Sequence, residues 1–110
     1  MGQNQTNLLQ GTLDLLILKA IGEGEAHGLG ISRRIEQITQ GTFKVKPGSL
    51  FPALHRMEEA GWIGAEWVTK ENGRRARIYQ LTATGKKQLA AEEKRWHSVS
   101  SAINRVLLEA

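Results

Sequence analysis

Residues 44–61, KVKPGSLFPALHRMEEAG, decide how the rest of the chain is read. They predict a short helix starting at or very near Ser49, a good N-cap. Pro52 then falls at the third helical position, where a missing N–H forfeits no hydrogen bond. Leu50, Leu54, Met57 and Gly61 recur at i, i+4, i+7 and i+11, with Ala53 and Ala60 beside them, so this stripe is the core side. The opposite side carries Pro52, His55, Arg56 and Glu59, with Phe51 at its margin and Lys44 and Lys46 just upstream. Small, basic and hydrogen-bonding groups on one exposed face suit the major groove of DNA. A plain solvated helix face accounts for the same segment taken alone.

Immediately downstream, residues 62–69 (WIGAEWVT) and 75–81 (RARIYQL) read as strands, and Asn72-Gly73 between them is a strong hairpin signal. A two-residue loop there places Trp67 opposite Ile78 and Val68 opposite Arg77; a longer loop changes the pairing. The tip is Lys70, Glu71, Asn72, Gly73, Arg74 and Arg75, with Arg77 just behind. A basic hairpin tip after an amphipathic helix is the arrangement of a winged helix, whose wing follows the DNA backbone or enters the minor groove.

Upstream, residues 28–40 predict a helix with Ile31, Ile35 and Ile38 inward and Arg33, Arg34 and Gln37 outward, ended by Gly41. His27 at its entrance is read as a capping or loop-packing residue, because no partner ligands for a metal lie nearby. Residues 8–21 form a helix with two apolar stripes. One is Leu9, Leu13, Leu16, Ile17 and Ala20; the other is Leu8, Leu15 and Leu18. A single small domain usually buries one stripe, so the second needs the C-terminal helix or a second subunit.

That C-terminal helix follows LTATG, with Thr82 or Thr84 as its cap and Gly85 weakening its first turn. Leu89, Trp96, Val99, Ile103, Val106 and Ala110 fall at heptad-like spacing, interrupted at Glu92-Glu93. A homodimer seam uses both this stripe and the second stripe of the first helix; packing back onto its own domain is the alternative. The expected organisation is a winged-helix DNA-binding domain over residues 1–81 and a dimerisation helix over 82–110, packed with the N-terminal helix.

The totals agree with this reading. A chain of 110 residues that is 40% hydrophobic suits one small core and leaves no room for a separate catalytic domain. It has no cysteine, which excludes disulfides and thiolate metal sites. The apolar run near the N-terminus is broken by Gln10, Asp14 and Lys19, so it reads as neither signal peptide nor membrane span, and a cytoplasmic protein is expected. Residues 33–87 hold 11 Lys/Arg against 5 Asp/Glu, whereas the remainder holds 4 against 6. The basic excess therefore sits in the middle of the chain and points to a polyanionic partner there.

With its elements in this order, the sequence closely resembles the PadR family of bacterial winged-helix transcriptional regulators. The matching stretches are GTLDLLILKAI (11–21), HGLGISRRIEQ (27–37), PGSLFPALHRMEEAGWI (47–63), NGRRARIYQLTATGKKQL (72–89) and the helix over 96–107. They cover nearly the whole chain, and the pattern is that of the compact subfamily with a single C-terminal dimerisation helix. The resemblance implies Ser49, Phe51, His55 and Arg56 as recognition-helix residues and Asn72, Arg74, Arg75 and Arg77 as wing residues. Two positions depart from it: the family usually has Tyr where this chain has Phe51, and often Tyr at Ile78. A contact at Phe51 would therefore be apolar, such as to a thymine methyl. Tyr79 matches, and its hydroxyl reaches a phosphate or its ring covers the sheet. The resemblance also implies a homodimeric repressor reading an inverted repeat. Relatives sense phenolic acids or planar hydrophobic drugs, some through a tryptophan-lined pore at the dimer interface. Trp96 lies where such a residue would sit, although a Trp at a heptad position is more often interface core.

Other function classes fare worse. His27, His55 and His97 fall on separate elements, and Glu58-Glu59 and Glu92-Glu93 are adjacent pairs that point in different directions on a helix. Ser49 has His55 nearby in sequence but no orienting acid. Neither an enzyme nor a cofactor or metal site is expected. A winged-helix protein-interaction module without DNA is the competing reading, since fold alone does not set function.

Overall fold

The computed structural model describes residues 2–24 and 27–109, with side chains from residue 11 onward. The chain runs α1 (Gly2–Gly22), α2 (Gly28–Ile38), α3 (Pro47–Glu59), β1 (Ile63–Thr69), β2 (Arg75–Leu81) and α4 (Ala83–Glu109). The first three helices and the antiparallel hairpin enclose one core of Ile17, Leu18 and Ile21 from α1, Ile31 and Ile35 from α2, and Leu50, Ala53, Leu54 and Met57 from α3. Ile63 and Tyr79 close it from the sheet. The mostly α winged-helix architecture is thus the one expected from the sequence. No helix among the described residues is long and apolar enough to cross a membrane.

Three local expectations change. First, α3 begins at Pro47 and not at Ser49. Proline at the first helical position needs no N–H and brings a helical φ. The Lys46 carbonyl accepts from the amides of Ser49 and Leu50 at 2.9 Å each. Pro52 therefore lies in the second turn, where it removes the donor that would reach the Gly48 carbonyl, on the exposed side where solvent is available. Second, α2 ends at Ile38 through backbone bonds from Gln40 to Gln37 and from Gly41 to Glu36, with Gln40 itself in the left-handed region at φ 52°. Ile38 is 62% exposed, because the inward stripe runs past its packing partners at this last turn.

Third, the hairpin register differs by one residue. Trp67 faces Arg77, Val68 faces Ala76 and Thr69 faces Arg75. The loop is longer than two residues: Gly73 N–H bonds back to the Lys70 carbonyl at 2.9 Å, Gly73 takes φ 81°, and Lys70 N–H reaches the Arg74 carbonyl. That is a tight turn followed by a left-handed glycine, the next commonest hairpin closure after the two-residue loop. A one-residue slip exchanges the two faces of a strand, so the correction decides which side chains the wing presents.

The long α4 gives the molecule its 59 × 29 × 27 Å extents. Thr82 is its cap, its hydroxyl accepting from Gly85 N–H at 3.0 Å and donating to the Gly61 carbonyl. Lys19 of α1 bridges Glu23 and Glu93, tying α1 to α4. These hydrogen-bonded carboxylates, Glu23 first, raise the Lys19 pKa above its ordinary 10.5. One residue expected at a dimer seam belongs instead to the protomer, since Leu18 is fully buried in the core; Leu89 is partly buried against that core beside Gly22 and Leu81. Once α4 lies along α1, the second stripe of α1 is partly consumed within the chain. Leu8, also expected at the seam, has a side chain outside the described residues.

Candidate nucleic-acid interface

The outward face of α3 follows from its core face. At about 100° per residue, burial of Leu50, Ala53, Leu54 and Met57 turns Gly48, Pro52, His55 and Glu59 directly away, with Phe51 and Ser49 toward the two margins. Pro52, His55 and Ser49 are exposed, as are Lys44 and Lys46 in the approach to the helix. His55 Nε2 lies 2.9 Å from Glu59 Oε1 along the same face. Phe51 is half-exposed, its ring edge laid against Gly28 at the start of α2. A Cβ on Gly28 would sit 2.9 Å from the ring, so the glycine allows this close approach.

Arg56 does not join this face. Its guanidinium makes a two-point contact with Asp14 of α1, Nη1 to Oδ2 and Nη2 to Oδ1, each 2.9 Å. Its expected place among outward-facing side chains is corrected accordingly: the side chain, 38% exposed, is held toward α1 at the margin of α3 by two charge-assisted hydrogen bonds. Of the two readings of Tyr79, the ring covering the sheet is the one its burial favours: at 8% exposure it is part of the core.

On the wing, Asn72, Arg74 and Arg75 are exposed, and Asn72 Oδ1 accepts from Arg74 N–H at 3.0 Å, holding the turn. Arg77 is turned inward, its Nη2 on Glu58 Oε2 of α3 at 2.9 Å. The corrected register puts Trp67, Arg75 and Arg77 on one face. The Arg75 and Arg77 guanidinium carbons stand 4.9 and 5.3 Å from the Trp67 ring centre, within cation–π range.

Between the wing and the helices lies a cleft of about 650 Å³. Its walls join Arg33, Arg34 and Gln37 of α2 to Phe51 of α3 and to Trp67 and Lys70 of the hairpin. Arg33, Arg34, Gln37, Trp67 and Lys70 were not among the residues singled out as binding candidates from the sequence. The available signal was the outward placement of the α2 cations; that they face the same cleft as the wing is a tertiary fact.

A second, smaller groove of about 260 Å³ runs between α1 and α4, lined by Gly11, Thr12 and Leu15 on one side and Glu92, Trp96 and Val99 on the other. Trp96 is 44% exposed there. Beyond it Ile103 and Val106 continue the apolar stripe of α4 into solvent. Of the expected dimer residues, Leu15, Trp96 and Val99 line this groove, and Ile103 and Val106 are exposed farther along α4.

Three core helices, a hairpin wing and a long following helix define a winged-helix protein. Residues 17–91 match the Transcriptional regulator PadR-like family. A transcriptional regulator of Mycobacterium tuberculosis is 30% identical over 80 residues, covering 73% of this chain and 71% of that protein. Among solved structures, a transcriptional regulator from Clostridium thermocellum superposes with a TM-score of 0.81 at 27% identity, over 90% of this chain and 96% of the other. A PadR-like transcriptional regulator from Bacillus cereus gives 0.77 at 27% identity, over 94% and 98%. The chain belongs to the PadR-like family of transcriptional regulators, whose members are regulators and not enzymes.

Proposed function

We propose that this regulator is a cytoplasmic homodimer that binds double-stranded DNA sequence-specifically and represses transcription until a small aromatic effector releases it. The observation that carries the DNA reading is the outward face of α3, with Pro52 and His55, next to a cleft that gathers Arg33 and Arg34 of α2 with Lys70 and Arg77 of the wing beside Phe51. In this reading α3 enters the major groove, and Lys44, Lys46, Arg74 and Arg75 meet phosphates on either side. Residues 1–81 bind DNA and residues 82–110 pair the two copies through the exposed stripe of α4. Two copies then present two α3 helices to half-sites of an inverted repeat about 34–36 Å apart. The groove beside Trp96 supports an aromatic effector, since it is apolar, open and continuous with the surface assigned to the second copy.

The test is fluorescence anisotropy of the purified protein on a duplex from upstream of its own gene and on a scrambled duplex, across a salt series. Tighter binding to the upstream duplex with a steep salt slope supports the reading. Absence of binding to both at low salt overturns it in favour of a protein-interaction module. Two substitutions separate affinity from specificity. Arg74→Ala removes an exposed wing cation, so it weakens binding to both duplexes alike and flattens the log–log salt slope by about 0.9, the value for one phosphate. An unchanged slope takes Arg74 out of the interface. His55→Ala reduces discrimination between the two duplexes with little effect on the slope; full discrimination in the variant would make His55 a bystander.

A further inference from the structure

The helix α3 is held on both flanks by charge. Arg56 and Glu58 lie about 200° apart around it, either side of the apolar stripe. Arg56 reaches α1, where both Asp14 oxygens accept at 2.9 Å, and Glu58 accepts from Arg77 of the wing at 2.9 Å. The apolar contact between them is non-directional: it fixes which side of α3 faces the core but specifies small rotations about the helix axis less sharply. A planar two-point guanidinium–carboxylate contact is directional. Asp14 is only 6% exposed, so its carboxylate has little freedom to follow Arg56 elsewhere.

We infer that Asp14 is a positioning residue for DNA reading: through Arg56 it sets the roll of α3, and so the direction of Pro52 and His55, from a helix outside the interface itself. The inference rests on the proposed function. It makes a buried acid of α1 a determinant of sequence preference, and it gives Arg56 the role of an anchor in place of a base contact.

The test begins with selection of a preferred duplex from a random library by the wild-type protein. Affinities for that duplex and for a random-sequence duplex are then compared for wild type, Asp14→Glu and Asp14→Asn, alongside thermal melting. Asp14→Glu keeps the charge pair but lengthens it by one methylene, so it should melt close to wild type. Its preference for the selected duplex should fall about tenfold or more, comparable to misreading one base pair. Random-duplex affinity and salt slope should stay within about twofold, since the phosphate contacts are untouched. Asp14→Asn should lose preference in the same way.

Full preference in a folded Asp14→Glu protein would overturn the inference, as would failure of that variant to fold, which would make the pair a stability element. Asp14→Asn binding both duplexes more tightly, with a slope steeper by about 0.9, would overturn it differently, showing that Asp14 masks a phosphate-binding Arg56. Failure of the wild type to bind any duplex at low salt would remove the DNA-binding reading itself, an outcome distinct from a binding protein indifferent to Asp14.

Discussion

Gly85→Ala is expected to unfold much of this protein at temperatures where the wild type is intact. Gly85 sits in the first turn of α4, its amide bonded to the Thr82 hydroxyl at 3.0 Å, while Thr82 N–H bonds to the Trp62 carbonyl at 3.0 Å. A Cβ on Gly85 would overlap that same carbonyl oxygen. Both clashing groups are backbone, so no rotamer relieves them. The junction of wing and α4 must open, or the Thr82 cap must be lost. Overpacking a rigid site costs about 3 kcal/mol or more, a fall in melting temperature of more than roughly 10 °C for a chain of this size. Circular-dichroism melting measures it. Gly48→Ala serves as the contrast, because a methyl there meets nothing within 4 Å; that variant should melt at or slightly above wild type. Equal melting of wild type and Gly85→Ala would mean that the close approach of α4 to Trp62 is not kept in solution.

Ile103→Glu carries the second large effect, on assembly and not on folding. Ile103 is 51% exposed on the α4 stripe between Val99 and Val106, so the protomer gains little from it. In the proposed dimer, a charge at the centre of the apolar α4 stripe would be buried without a partner. The variant should sediment as a monomer with an intact winged-helix core. It should lose about 10²–10⁴-fold in affinity for an inverted-repeat duplex, the advantage of linking two half-site contacts. A variant that remains dimeric would place the interface elsewhere, and a monomer of undiminished affinity would mean that one copy suffices for binding.

The helices were legible because their apolar periodicity is local. Leu50, Ala53, Leu54 and Met57 are all buried, as are Ile31 and Ile35, and that places Pro52 and His55 on the outer side of α3. A threonine cap was legible for the same reason, as Thr82 or Thr84; the structure selects Thr82, whose hydroxyl accepts from the amide three residues ahead. The hairpin was located by Asn72-Gly73, but its register was not, because Asn-Gly serves either a two-residue loop or a longer one closed by a left-handed glycine. The choice moved Trp67 from Ile78 to Arg77. Gly85 was read as a weakness of the first turn, whereas its role is to admit the Trp62 carbonyl, which periodicity does not reveal.

The sequence by itself determined the element order, the core face of each central helix and the basic character of residues 33–87, all properties of spacing and composition over short range. Only the tertiary structure decided which charges are engaged. Asp14 and Arg56 meet across 42 residues, Glu58 and Arg77 across 19, and Leu18 lies in the protomer core where the C-terminal helix or a partner subunit was the expected neighbour. The physical reason is that periodicity names a buried face but not what buries it. A guanidinium declares its charge in the sequence, and its partner only when the packing of two helices brings a carboxylate within 3 Å.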